Sequence, residues 1–218
     1  MAKEQERKYL INIPKLLGMV ENGFPNDEKL VSKELIKQAY LGDSGVWEAF
    51  VTLSTPNRLL LVSRALNRDY ALSLKSEDAI QLIEHPTSSM QGDGSCKISL
   101  EHWALRVRIF ENGSGEVTLK ERIAGEIRGE CNAPADPMTA QALFDSVANR
   151  ISKMRYNIEK AGYIWDVDVF NDLNRGLGVA ELETSDRDYP LLSIIESEVT
   201  KDPRYYNDNL SYHPFTKW

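Results

Sequence analysis

The sequence predicts an α+β protein framed by an antiparallel sheet with helices packed on its apolar side. Three observations carry this. From residue 100 onward, short alternating runs are separated by glycine-containing turns, the sequence form of an antiparallel meander. In nearly every run, charged residues of both signs share one parity while Val, Leu, Ile, Met or Trp take the other, so each strand has an ionic face and an apolar face. Finally, 218 residues at 42% hydrophobic and 27% charged make one ordinary globular core.

Taken in order, residues 3–13 predict a first strand around Tyr9-Leu10-Ile11, and Pro14 opens a short helix over 15–21, closed by Asn22-Gly23 and Pro25. Residues 27–36 read either way, and 35–41 are strand-like up to Gly42. Residues 46–53 and 58–64, separated by Ser54-Thr55-Pro56-Asn57, predict a hairpin. Apolar residues at helical spacing predict a helix over 77–83, followed by a turn-rich stretch, 86–95. Residues 103–110, 115–123 and 126–131 form the meander, with Gly113-Ser114-Gly115 as a hairpin turn. Asp136-Pro137 is an N-cap followed by proline at the first helical position, and Ala142, Leu143, Val147 and Ile151 predict an amphipathic helix over 138–151. Strands are expected at 152–158, 163–170 and 177–184, then helices at 189–199 and 205–210.

Composition excludes several function classes. A net charge of −7 and a pI near 5.1 argue against a nucleic-acid coat, which needs a basic surplus. No run approaches a membrane span and the start lacks an apolar leader, so a cytoplasmic protein without membrane partners is expected. Cys96 and Cys131 form no CxxC and read as buried or half-buried thiols. His85, His102 and His213 match no zinc spacing, so any metal would take oxygen ligands. No Walker A or GxGxxG sequence is present.

The ionic parity collects acids Glu4, Glu6, Glu130, Asp166, Asp168, Glu181 and Glu183 with bases Lys8, Arg106, Arg108, Lys120, Arg128, Lys153 and Arg155. Two arrangements satisfy it. The face can be open to water, with cross-strand salt bridges. Alternatively, the sheet curls so that the face becomes a polar lumen. Burying such a set without a ligand is costly. A polyanion with a divalent cation uses both halves, because Arg and Lys hold phosphoryl oxygens and carboxylates hold Mg²⁺ or Mn²⁺.

Glu4-x-Glu6-x-Lys8 resembles the ExExK signature of the CYTH superfamily, the triphosphate tunnel metalloenzymes. The segments that follow resemble the family's blocks in the family's order: Leu105-Arg106-Val107-Arg108, Thr118-Leu119-Lys120, Lys153-Met154-Arg155-Tyr156, Asp166-Val167-Asp168, Glu181-Leu182-Glu183 and residues 198–207. The resemblance implies an eight-stranded antiparallel tunnel with helices outside. It implies one domain over residues 1–218, extended by an inserted segment at about 43–102. It further implies that Glu4, Glu6, Lys8, Glu181 and Glu183 are catalytic, and that Glu4, Glu6, Glu130, Asp168, Glu181 and Glu183 hold Mg²⁺ or Mn²⁺. Lys8, Arg106, Arg108, Lys120, Arg128, Lys153, Arg155 and Arg204 would bind substrate, with Arg204 and Tyr205 in a segment that can close over one tunnel mouth. The family commonly has R-x-E-x-E where this chain has Arg128, Glu130 and Asn132, so one carboxylate is missing.

The activity so implied is metal-dependent hydrolysis of a phosphoanhydride in inorganic triphosphate or a related small triphosphate. Alternatives on the same scaffold are class IV-type adenylyl cyclase, thiamine triphosphatase, or a non-catalytic polyphosphate- or nucleotide-binding module. A nucleoside would need stacking partners. Tyr40, Trp47 and Trp103 are available by type, but isolated aromatics read first as packing. The expected partner is the small triphosphate, with a homodimer compatible and nucleic acid not.

Overall fold

In the computed structural model, residues 5–42, 45–53, 57–122 and 129–218 are described. They begin with β1 (Gln5–Ile11), α1 (Ile13–Asn22), β2 (Glu28–Tyr40), β3 (Glu48–Thr52), β4 (Arg58–Ser63), β5 (Arg68–Ser73), α2 (Ser76–Glu84), β6 (Ser89–Met90) and β7 (Cys96–Ile98). The meander follows as β8 (Trp103–Ile109), β9 (Gly115–Glu121) and β10 (Glu130–Ala135), and then α3 (Pro137–Asp145). The chain ends with β11 (Arg150–Lys160), β12 (Tyr163–Phe170), β13 (Gly178–Thr184), β14 (Ile195–Glu198) and α4 (Asn207–Tyr212). Antiparallel strand pairs dominate and helices are few, as expected. The described residues divide into two compact units, one reaching to Lys37 and resuming at Ile151, the other between Gln38 and Arg150.

In the first unit the strands lie in the order β2-β11-β12-β13-β1-β14. β11 and β12 form a long hairpin in register from Lys153↔Phe170 to Lys160↔Tyr163. Its two-residue turn, Ala161-Gly162, has φ of 49° and 84°, the left-handed pair that matches strand twist in a tight hairpin. One face of these strands supplies Tyr9, Ile158, Trp165, Val167 and Leu182 to a core that also takes Leu16 and Met19 of α1. That helix starts where the Asn12 side chain accepts the Lys15 amide at 2.9 Å and Pro14 needs no donor. Gly178 lets β13 approach β1, since a Cβ there would lie 2.6 Å from Ile11 Cγ1.

In the second unit β9 pairs with β8 on one side and β10 on the other. A second sheet runs β5-β4-β3-β7-β6. Leu105, Val107, Val117, Leu119, Cys131 and Ala133 of the meander share one buried core with Ala49, Val51, Leu59 and Leu61 of that sheet and with Ala140 and Leu143 of α3. The apolar side of the meander is therefore covered by strands as well as by the expected helix. Cys96 and Cys131 are free and buried, as read.

Several expectations are corrected. The ambiguous 27–36 stretch and the following run are one strand, β2. β5 was unanticipated. β10 runs to Ala135, later than the expected 126–131, of which 126–128 lie outside the described residues. The helix over 138–151 stops at Asp145, where Ser146 Oγ donates to the Leu143 carbonyl at 2.6 Å. Val147 and Ile151 are buried from a turn and from β11 instead. No helix forms over 189–199. Leu192 and Ile194 are buried at a spacing of two and lead into β14. Among the described residues no helix is long and apolar enough to cross a membrane.

Candidate active site

In the first unit, parity and register bring most of the candidate residues together. Lys8 stands opposite Glu181, and Glu6 opposite Glu183, across the β1 and β13 ladder. The Lys8 ammonium donates to both Glu6 and Glu181. On the neighbouring strands Arg155 stands opposite Asp168 and grips it with a two-pronged fork, Nε to Oδ1 and Nη2 to Oδ2, each at 2.7 Å. Its Nη1 reaches Asp166, and Nη2 lies 3.6 Å from Glu181 Oε2. Lys153 donates to Asp168 at 2.5 Å, and both side chains are fully buried.

The charges set one another's titration. Burial opposes the Lys8 ammonium, but Glu181 and Glu6 outweigh it and hold its pKa above the ordinary lysine value. Burial likewise opposes ionisation of Glu181, yet Lys8, Lys153 and Arg155 hold it well below the carboxylate range. Asp168 is lowered in the same way, by Lys153 and Arg155. For Lys153 burial wins over Asp168 and pushes the amine down to about 8. Burial also raises Asp166, against the pull of Arg155.

The second unit carries a looser ladder. Arg106 Nη2 donates to Thr118 Oγ1 at 3.0 Å, Thr118 donates to Asn132 Oδ1 at 2.8 Å, and Asn132 donates to Glu130 at 3.2 Å. Lys120 lies 3.5 Å from Glu130. Burial opposes the Glu130 carboxylate, but Lys120 and Arg106 lower its pKa. Among the described residues the buried Nε of Arg106 has no acceptor within hydrogen-bond distance, a donor those residues do not use. Arg108 stands opposite Glu116 and over the Phe110 ring.

Glu4 and Arg128 lie outside the described residues. Arg204 is exposed and closes on its neighbour Asp202 at 2.6 Å, stacked on Trp218 at 5.3 Å. The residue of that segment that reaches the cluster is Tyr206, whose ring lies 5.7 Å from the Lys8 ammonium. Tyr206, Thr118 and Asn132 were not among the candidates. Thr118 and Asn132 did share the ionic parity, which was the available signal.

A divalent cation suits the acidic side by donor chemistry. Glu6 and Glu183 are like charges directly opposed on a ladder, and the Lys8 ammonium that donates to Glu6 supplies positive charge beside them. With Glu181 they make an oxygen-only set of the kind Mg²⁺ and Mn²⁺ prefer. Among the described residues no three such groups converge as a complete metal cage.

An antiparallel sheet with this two-signed ionic face has the donor chemistry to take a polyanion by its cations and a metal ion by its carboxylates. No protein-family model matches the chain. It is 34% identical over 116 residues to an inorganic triphosphatase from Acetivibrio thermocellus, a match covering 51% of this chain and 74% of that protein. The chain belongs to the CYTH superfamily of triphosphate tunnel metalloenzymes. Solved structures resembling it include the inorganic triphosphatase NE1496, at 20% identity and a TM-score of 0.49 over 97% of this chain and 95% of that one. A protein from Hippeastrum whose dominant activity is described as that of a triphosphatase aligns at 14% identity and a TM-score of 0.41, over 84% of this chain and 80% of that one. These structural likenesses are distant, and the family assignment rests on the sequence match.

Proposed function

We propose that the protein is a divalent-metal-dependent hydrolase that cleaves a phosphoanhydride in inorganic triphosphate or a related small triphosphate. In this reading the ionic faces line a tunnel made by a curled eight-stranded part of the sheet, in one domain that carries the segment at about 43–102 as an insertion. The observation that carries it is the buried network of Lys8, Glu181, Arg155, Asp168 and Lys153 on one sheet face, in a chain related to an inorganic triphosphatase.

Each side chain has a physical part. Lys8 keeps its proton through the neutral range, because its pKa is raised, and acts as a fixed positive charge rather than as a base. Arg155 is oriented by Asp168 before any ligand arrives, so little side-chain entropy is lost on binding. Arg106 offers its remaining donor to a phosphoryl oxygen. Such positioned cations absorb charge as the phosphoryl group transfers. Glu4, Glu6, Glu181 and Glu183 would hold Mg²⁺ or Mn²⁺, which supplies Lewis-acid polarisation of a phosphoryl oxygen.

Phosphate release from inorganic triphosphate, pyrophosphate, ATP and thiamine triphosphate, with each metal and with chelator, tests the reading. Metal-dependent release from inorganic triphosphate is expected, falling by about 10²-fold or more in Glu6→Gln while the fold persists. A wild-type rate in that variant overturns it.

A further inference from the structure

Helix α2 and the turn after it belong to the segment at 43–102, and they meet β10 at several points. Among the described residues β10 has a ladder neighbour on one side only, β9. The Thr87 amide donates to His85 Nδ1 at 3.3 Å, so Nδ1 is the acceptor and Nε2 carries the proton. Nε2 then donates to Glu121 Oε1 at 3.0 Å. The other oxygen of Glu121 accepts the Gly129 amide at 3.1 Å, and the Glu121 amide donates to the Gly129 carbonyl at 2.9 Å.

Close packing repeats the connection. A Cβ on Gly129 would lie 2.4 Å from Gln81 Nε2 of α2 and 2.9 Å from the Trp103 ring. The edge of His85 packs on that same ring, with centroids 5.2 Å apart. Farther along β10, Cys131 Sγ lies 3.7 Å from the Asp78 carbonyl and 3.9 Å from Gln81 Oε1. Gly129 and Cys131 therefore lie against α2, and the strand they belong to presents Glu130 to Lys120 and Asn132 to Thr118.

We infer that α2 and His85 are a positioning device for β10, holding the Lys120–Glu130 and Thr118–Asn132 rungs where they meet the triphosphate. His85, Glu121 and Gln81 are positioning residues, acting through the strand and touching no substrate. The segment at 43–102 is then part of the binding apparatus rather than a passive extension. The kinetic half of this inference rests on the hydrolase reading, whereas the mechanical half does not.

The experiment pairs amide hydrogen exchange over residues 129–135 with steady-state kinetics on inorganic triphosphate. In His85→Ala and Glu121→Ala, exchange of the β10 amides is expected to quicken about tenfold while β12 is unchanged, the mark of local rather than global opening. KM should rise about fivefold with kcat within about twofold, a split that general destabilisation does not produce. Glu121→Gln, which keeps an acceptor for the Gly129 amide, should restore most of both. If His85→Ala does not fold, Gln81→Ala tests the second attachment by the same readouts. Unchanged exchange, or faster exchange with unchanged KM, overturns the inference. Faster exchange in a protein whose wild type hydrolyses no triphosphate supports the brace and overturns the hydrolase reading alone.

Discussion

Lys153 and Asp168 in the first unit are fully buried and bonded to each other, whereas in the second unit Lys120 and Glu130 keep 26% and 37% of their side-chain surface. The first region neutralises its charges internally: Asp168 receives Lys153 and both prongs of Arg155, and Lys8 receives two carboxylates. The second links its charges through neutral groups, Thr118 and Asn132, and among the described residues leaves the Arg106 Nε without an acceptor. A buried charge that loses its partner is severely penalised, while a half-exposed one is rescued by water. Damage to the fully buried Lys153 and Asp168 pair of the first region should therefore appear in stability, and damage to the second region in affinity.

The largest effect expected is from Lys153→Met. It removes one of two cations from a carboxylate that has no access to water, and should cost about 3 kcal/mol in denaturant unfolding. A loss below about 1 kcal/mol would place this pair with ordinary surface bridges and dissolve the contrast. Acid should give the next largest effect. Glu181 and Asp168 have pKa values lowered from 4.5 and 3.8, so their contribution is complete above that range and is lost as the pH falls through it toward the folded values. Asp166, raised by burial, works in the opposite sense. Thermal midpoints should hold steady down to about pH 5 and then fall, and Glu181→Gln should flatten that fall. The smallest change in stability is expected from Arg106→Ala, with unfolding altered by less than about 1 kcal/mol but KM raised roughly tenfold, the worth of one charge-assisted hydrogen bond. An unchanged KM would remove Arg106 from the binding face.

Much of this contrast was legible before any coordinates. A period of two requires Lys8 and Tyr9, Asp166 and Val167, or Glu181 and Leu182 to face opposite ways, and the burial of Tyr9, Val167 and Leu182 in one core agrees. Which rung meets which depends on turns and register, so the Arg155 and Asp168 fork could not be read from parity. Helix limits failed where apolar spacing was coincidental. Leu143, Val147 and Ile151 are four apart, yet only Leu143 is helical, because hydrophobic burial does not record which backbone delivers the side chain. β5, with most of its residues exposed, had no apolar alternation to announce it. Tyr206 escaped because its role is to lie against Lys8, a residue nearly two hundred positions away in sequence.

The Ala161-Gly162 turn has a consequence for the order of assembly. Hairpins closed by two residues form in about 1–10 μs, since little chain must be ordered before pairing begins. β11 and β12 can thus align Arg155 with Asp168 while both are still hydrated. β1 comes from the opposite end of the chain and joins only after a long loop has closed. The ion pairs of the hairpin would then be made in water and dried afterwards, so the desolvation of Lys153 and Asp168 falls late on the folding path and governs how fast the native state opens.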